Sequence, residues 1–147
     1  MSTQAGAPTR KPVEVNIMIE VRILTEVFSM TDLRIEVHSK EGVAVVEPIG
    51  YINAHTAKDF ETAIQRLIDQ NQNNIVINCR ELAYIASAGL GAIMGYIDTI
   101  RENKGDIRMC QMNETVFNIF DVLGFTQLYS IFESEEKAIG SFSEASR

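Results

Sequence analysis

Residues 75–97, "IVINCRELAYIASAGLGAIMGYI", contain both kinds of element from which this chain is built. The stretch opens with residues 75–78, a short apolar run without alternation, which is typical of a strand buried on both faces. A helix is predicted over residues 88–103, because apolar side chains recur there at helical spacing. These core positions are Leu90, Ile93, Met94, Ile97 and Ile100. A buried strand followed by an amphipathic helix predicts an α/β fold.

The same alternation of strands and helices continues on both sides of this stretch. Further strands are predicted over residues 33–37, 43–48, 107–112 and 128–132. Further helices are predicted from Thr56 as N-cap to about Gln70, from Asn113 as N-cap to Gly124, and from Ser134 through Phe142. Strands that alternate with helices predict one α/β domain with a mixed, largely parallel sheet.

Composition excludes several classes of protein. The chain has 147 residues with 13 basic and 20 acidic side chains, a net charge of −7, and no basic cluster. We therefore expect no nucleic-acid partner. No apolar run approaches the roughly 18 residues of a membrane span and no signal-peptide pattern opens the chain, so the sequence predicts a cytoplasmic protein. Cys79 and Cys110 lie in apolar runs without metal-ligand spacing, which predicts two buried thiols and no metal site.

Ser87 precedes a glycine-containing helix, which raises three possibilities for its chemistry. A nucleophilic serine at a strand-to-helix elbow requires a small residue two positions earlier, but that position is Ile85. Both histidines, His38 and His55, precede Ser87, which is the reverse of the order in enzymes with such an elbow. The sequence therefore disfavours a hydrolase.

A phosphate-binding loop is the second possibility, and the third is a serine that itself receives a phosphate. The glycines at 89, 91 and 95 follow G-x-G-x-x-x-G rather than a dinucleotide fingerprint, and no Gly-Lys-Ser/Thr is present. No cofactor is therefore predicted. The positive end of a helix dipole can accommodate a phosphate added to Ser87, and the same serine could equally serve only as a helix cap. Spacing alone leaves these two roles open.

Three segments in order resemble one known family. They are "VAVVEPIGYINAHTAKDFE", "IVINCRELAYIASAGLGAIMGYI" and "VFNIFDVLGF". Over residues 31–142 the chain resembles the STAS-domain anti-sigma-factor antagonists, also called anti-anti-sigma factors. The resemblance implies a small mixed β-sheet with helices packed on one side. It also implies a protein that is not an enzyme, that binds an anti-sigma factor and thereby releases a sigma factor.

The resemblance also assigns roles to particular residues. The anti-sigma partner is often a serine kinase, and phosphorylation of one serine, two residues before Gly-Leu-Gly, switches binding off; here that serine is Ser87. The implied partner-binding surface joins the loop before the first helix to the start of the later helix. Its members are Tyr51, Asn53, Ala54, His55, Thr56, Ala86, Ser87, Ala88, Gly89 and Gly91.

Two positions depart from the family pattern. Ala86 and Asn53 stand where family members commonly carry acids, which lowers the local negative charge and favours a phosphate. Equally, those acids could help a kinase to recognise the serine. The alternative function is therefore a STAS scaffold module in another signalling complex that is not phosphorylated, and a small nucleotide-binding domain is a weaker one. A monomer or a weak dimer is expected.

The family domain is expected to span residues 30–147, with residues 1–29 as an extension. The first dozen residues are small, polar and proline-containing, which predicts disorder. Residues 13–23 alternate apolar and polar side chains, which predicts an additional strand. The sequence leaves open whether this extension is genuine or reflects a start site chosen too far upstream.

Overall fold

A computed structural model describes residues 32–145, with side chains up to residue 143. The predicted extension over residues 1–29, its predicted strand over residues 13–23 and the first residues of the expected domain lie outside the described residues. Within the described part the strands are β1 (Leu33–Lys40), β2 (Val43–Ile52), β3 (Asn74–Asn78), β4 (Leu82–Ile85), β5 (Asp106–Cys110) and β6 (Ile131–Phe132). The α-helices are α1 (Ala57–Asp69), α2 (Ser87–Glu102), α3 (Glu114–Val122) and α4 (Glu135–Ala145).

The strands form one mixed sheet in the order β1-β2-β3-β5-β6. Only the β1–β2 hairpin is antiparallel among the strand pairs of the described residues. Glu41 and Gly42 form its two-residue turn with φ of 55° and 78°, as expected for a turn that matches the strand twist. The predicted α/β class with a mixed, largely parallel sheet is confirmed.

The long strand β2 pairs with two parallel strands in succession. Its first half pairs with β3, from Ala44 opposite Ile75 to Val46 opposite Ile77. Its last residues, Gly50 to Ile52, pair with β4. The sequence did not predict β4, because this four-residue strand alternates poorly and runs directly into the helix that follows. This second pairing brings the end of β2 beside the start of α2.

The two faces of the sheet carry separate cores. The larger core joins Ala44, Val46, Ile75 and Ile77 of the sheet to α1, α2 and α3. The smaller core joins Val43, Val45, Val76 and Cys110 to α4 through Ala138, Ile139 and Phe142. The helices α1 to α3 thus share one side of the sheet, as expected, and the closing helix α4 covers part of the other side. The continuous run Val43–Val46 is buried because both of its faces are covered.

A buried polar contact fixes the start of α4 on the second face. Asn78 at the end of β3 is 3% exposed and donates through its side-chain amide to Glu135 Oε1 at 2.8 Å and to Gln111 Oε1 at 3.0 Å. Its own side-chain oxygen accepts from the Arg80 backbone N–H at 2.9 Å. Because each polar atom has a partner, the burial of Asn78 incurs no penalty for an unpaired group.

Both cysteines are buried, as predicted. Burial raises the pKa of the Cys79 thiol far above its usual range, and it raises the pKa of the Cys110 thiol to about 12. Both thiols therefore remain protonated at neutral pH and pack as small apolar side chains.

The apolar stripe of α2 is narrower than predicted. Leu90, Ile93 and Ile100 are buried, and Ile97 is half-buried against the larger core. The prediction that Met94 belongs to the core is wrong, since 46% of this residue is exposed. None of the helices among residues 32–145 has the length and apolar character that a bilayer span requires.

Candidate functional site

Parallel pairing of β2 and β4 brings the predicted site together. Tyr51 lies opposite Tyr84 and Ile52 opposite Ile85. At the end of this ladder the Ala86 N–H donates to the Ile52 carbonyl at 2.8 Å. The loop after β2 and the start of α2 therefore leave neighbouring strand ends side by side, as the family resemblance implied.

The loop after β2 is held by its own hydrogen bonds. The Asn53 side-chain oxygen accepts from the backbone N–H groups of His55 at 2.9 Å and Thr56 at 3.2 Å. The Thr56 hydroxyl donates to the Tyr51 carbonyl at 2.8 Å and accepts from the Asn53 N–H at 2.9 Å. Hydrogen bonds among residues 51–56 therefore fix the shape of this loop.

Thr56 does not have its predicted role. It occupies the N-cap position of α1, but its side chain caps no N–H of that helix. Its hydroxyl closes the preceding loop instead, and the residue is 5% exposed. The Asn53 N–H is a competing donor within the loop, and it occupies the hydroxyl oxygen that was expected to accept from an N–H of α1. The exposed part of this loop consists of Ala54 and His55.

The start of α2 is open. Ala86 is the N-cap, with an extended backbone (φ −92°, ψ 172°), and no side chain caps this end of the helix. Ser87 is exposed and is the first helical residue rather than the cap. The first turn contains no acidic residue. The Gly89 N–H donates to the Ala86 carbonyl at 2.9 Å. A helix start with no capping side chain and no carboxylate favours an anion.

Two glycines in the first turns of α2 have opposite surroundings. A Cβ on Gly89 would collide with Ile52 Cγ2 and would lie 2.8 Å from Ile85 Cγ1. A Cβ on Gly91 would meet no atom within 4 Å. Gly89 therefore lets the helix pack closely on the ends of β2 and β4, while Gly91 leaves a smooth patch on the exposed side.

These environments divide the predicted partner-binding residues into three groups. Thr56 and Gly89 are buried and therefore do not face outward. They instead hold the loop and the start of α2 in place from beneath. Tyr51, Asn53 and Ala86 are half-buried. The remaining predicted residues lie at the surface: Ala54, His55, Ser87, Ala88 and Gly91.

Two further exposed residues, Met94 and Tyr84, lie beside the predicted surface residues and were not predicted as part of the site. On a helix, Ser87, Gly91 and Met94 lie on one face because they are separated by four and then three residues. The exposed Met94 therefore extends the surface of Ser87 along α2. Tyr84 is 42% exposed on β4, opposite Tyr51. Met94 lies at the edge of the apolar stripe of α2, and this position was the available signal for exposure. The sequence prediction assigned it to the core instead.

The chain matches one domain family and is similar to several known proteins. The STAS domain matches residues 34–138. An anti-sigma F factor antagonist of Paenibacillus polymyxa is 28% identical over 109 residues, covering 74% of this chain and 93% of that protein. An anti-sigma factor antagonist from Mycobacterium paratuberculosis has the same fold with a TM-score of 0.70 at 18% identity, over 76% of this chain and 94% of that one.

The anti-sigma factor antagonist SpoIIAA has been solved in two covalent states. Its unphosphorylated form has a TM-score of 0.65 and 21% identity, covering 77% of this chain and 97% of that one. The phosphorylated form of SpoIIAA, from Bacillus, has a TM-score of 0.59 and 20% identity, covering 76% and 99%. The fold implied by the sequence resemblance is confirmed by these structures.

Proposed function

Because this chain belongs to the STAS domain family, we propose that it acts as an anti-sigma factor antagonist, which binds an anti-sigma factor and thereby releases a sigma factor. The proposal is supported by relatives of this name that match along most of their own length. It assigns the chain a role in binding rather than in catalysis, in the cytoplasm and without nucleic acid as a partner.

The proposed docking surface is the face on which the loop after β2 meets the start of α2. It comprises the exposed residues Ala54, His55, Ser87, Ala88 and Gly91, extended by Met94. Small side chains allow a partner to come close to the helix, and the exposed methionine provides an adaptable apolar contact. The buried Thr56 and Gly89 hold the two segments in position beneath this surface.

The single observation that carries the switching part of the proposal is the exposed Ser87 at a helix start without a cap or an acid. A phosphate on Ser87 adds about −1.5 to −2 charges and three acceptor oxygens. The fold tolerates this change, since the helix dipole favours an anion at this end. A partner docked on the same surface does not, because new charge and bulk would enter a desolvated contact. A serine kinase that is itself the anti-sigma factor would then control its own release.

The absence of two acids supports a second candidate function. Ala86 and Asn53 stand where family members commonly carry carboxylates, and the Asn53 side chain is used to hold the loop. If a kinase requires those acids, the chain is a STAS scaffold module in another signalling complex, where it binds its partner without a phosphate switch.

One experiment distinguishes the two functions. The chain is recovered from the cells that express it, its partners are identified by mass spectrometry, and Ser87 is inspected for phosphate by peptide sequencing. The switch predicts an anti-sigma factor among the partners, phosphate on Ser87, and loss of that partner from the phosphorylated fraction. An anti-sigma partner that is retained with Ser87 unmodified under all growth conditions contradicts the switch and leaves an antagonist without phosphate control. Absence of any anti-sigma factor contradicts the antagonist function and favours the scaffold module in another signalling complex.

A further inference from the structure

The strand β1 presents an outer edge with which no strand of residues 32–145 pairs. It is eight residues long, and its register with β2 contains no bulge. It also contains no proline. Long edge strands without such interruptions are templates for pairing with another chain.

The backbone groups that face outward can be identified from the register. The Tyr51 N–H donates to the Asp32 carbonyl at 3.2 Å, so Asp32 and Tyr51 form a hydrogen-bonded pair. The next pair along the two strands is Leu33 opposite Gly50. Leu33 is therefore in a non-hydrogen-bonded pair, and alternate residues along β1 repeat this state. Pro48, which has no N–H, lies opposite Ile35, as this pattern requires. The N–H and carbonyl groups of Leu33, Ile35 and Val37 thus point away from the sheet.

The same three residues provide an apolar strip beside these outward-facing backbone groups. Leu33, Ile35 and Val37 line an open groove of about 440 Å³ between β1 and α1. Val37 is 47% exposed. A strand that pairs with this edge would satisfy the outward backbone groups and cover the apolar side chains at the same time.

We propose that the occupant of this edge is β1 of a second copy of the chain, paired antiparallel about a two-fold axis at Ile35. In this register Ile35 lies opposite Ile35 of the second copy, and Leu33 lies opposite Val37. All of these residues have outward-facing backbone groups, so the ladder forms without loss of a β1–β2 hydrogen bond. The two sheets join into one, with both apolar strips on the same face.

Charge complementarity selects both this occupant and this register. On the other face of β1 the register places Arg34 opposite Glu36 twice. Moving the axis one residue towards Lys40 would oppose Glu36 to Glu36, and moving it one residue towards Asp32 would oppose Arg34 to Arg34. Opposite charges directly across a sheet are favourable and like charges unfavourable. The edge is therefore complementary to itself.

This inference goes beyond the proposed function, because the outer edge of β1 contains none of the residues proposed to bind the anti-sigma factor. The proposed self-association and the proposed binding of an anti-sigma factor can therefore fail independently. Variants of Arg34 or Glu36 are expected to alter self-association and to leave the affinity for the anti-sigma factor unchanged.

The test is sedimentation equilibrium of the full chain and of two charge variants. Arg34→Glu gives a copy with glutamate at positions 34 and 36, and Glu36→Arg gives a copy with arginine at positions 34 and 36. Each variant alone opposes like charges, so its dimer dissociation constant is expected to rise at least about tenfold. A mixture of the two variants opposes only unlike charges, and we expect it to form heterodimers with nearly the parent affinity.

The mixture is the decisive arm, because each variant also disrupts the contact between Arg34 and Glu36 within one chain, at 3.5 Å. Mixing cannot repair a defect within a chain. Glu102→Arg, at the exposed end of α2, is the matched control for the change in charge and is expected to dimerise as the parent does.

Val37→Pro provides a second test that does not depend on charge. It removes one outward N–H that β2 does not use, and we expect a folded monomer with a cooperative thermal transition. A parent chain that remains monomeric at high concentration overturns the proposal. So does a mixture of charge variants that fails to form heterodimers. A monomeric parent that dimerises after removal of residues 1–29 would assign the edge to another occupant, the chain's own preceding residues.

Discussion

The helices α2 and α3 begin in different ways. At the start of α3 the Asn113 side-chain oxygen accepts from the Val116 N–H at 2.8 Å, and its amide donates to the Leu82 carbonyl at 3.0 Å. Glu114 adds an acid in the first turn. At the start of α2 the N-cap is Ala86, no side chain caps the helix, and no acid occupies the first turn.

This difference separates a helix start that stabilises the fold from one that is left open. A capping side chain contributes about 0.5–2 kcal/mol relative to alanine, and α2 lacks that contribution. The fold tolerates the loss because Leu90, Ile93 and Ile100 anchor α2 in the larger core. We infer that the open start of α2 allows an anion to be added on Ser87. One comparison within α2 and two comparisons between the two helix starts test this view.

The largest effect is expected at the close contact beneath the open start. Gly89→Ala would place a methyl group against Ile52 and Ile85, and overpacking of this kind costs about 1–3 kcal/mol. Gly91→Ala is the matched control two residues away, where the added methyl group meets open space. It should instead stabilise the helix by about 0.5–1 kcal/mol. Chemical denaturation measures both, and equal effects would refute the assigned environments of the two glycines.

A smaller effect is expected when the two caps are exchanged. Asn113→Ala should lower the free energy of unfolding by about 0.5–2 kcal/mol, because the cap of α3 is lost. Ala86→Ser should raise it by a similar amount, because the extended backbone of Ala86 suits a capping hydroxyl. Urea titrations of both variants check this pair. If Ala86→Ser brings no gain, the start of α2 is already satisfied and the contrast between the helices disappears.

The sequence predicted the starts of α1, α2 and α3 unequally well. Asn113 was identified as a cap because an asparagine directly before an apolar stripe is a local signal. The roles of Thr56 and Gly89 could not be predicted, because each depends on a contact with the end of β2. The Thr56 hydroxyl bonds to Tyr51, and Gly89 packs on Ile52. Their partners are set by the unpredicted β2–β4 pairing and by the folded loop.

The placement of α4 on the second face of the sheet had a signal in the sequence. Four consecutive apolar residues in β2, Val43–Val46, exceed what a sheet with one covered face requires. The alternating strand β1, by contrast, could be predicted over residues 33–37. That its outer edge pairs with no strand of residues 32–145 could not be predicted, since strand order depends on long-range pairing.

The smallest effect is expected when an acid is added to either helix start. Ser87→Asp should raise the free energy of unfolding by about 0.3–1 kcal/mol at low salt, because the carboxylate meets an open helix end. Thr115→Asp in the first turn of α3 should gain less, since Asn113 and Glu114 already occupy that end. High salt should reduce the gain at Ser87. Thermal melts at two salt concentrations test this, and a loss of stability in Ser87→Asp would exclude Ser87 as a site that tolerates an anion.

The central claim is that charge on Ser87 blocks the partner and leaves the fold intact. The most direct measurement is the affinity of Ser87→Asp for the anti-sigma factor recovered with the parent chain, by titration calorimetry. Ser134→Asp is the matched control, because Ser134 also lies at a helix start, where its hydroxyl accepts from the Lys137 N–H at 3.2 Å. We predict binding at least about tenfold weaker for Ser87→Asp, and parent affinity for Ser134→Asp and Ser87→Ala. Parent affinity in Ser87→Asp, or equal weakening in Ser134→Asp, would contradict the claim.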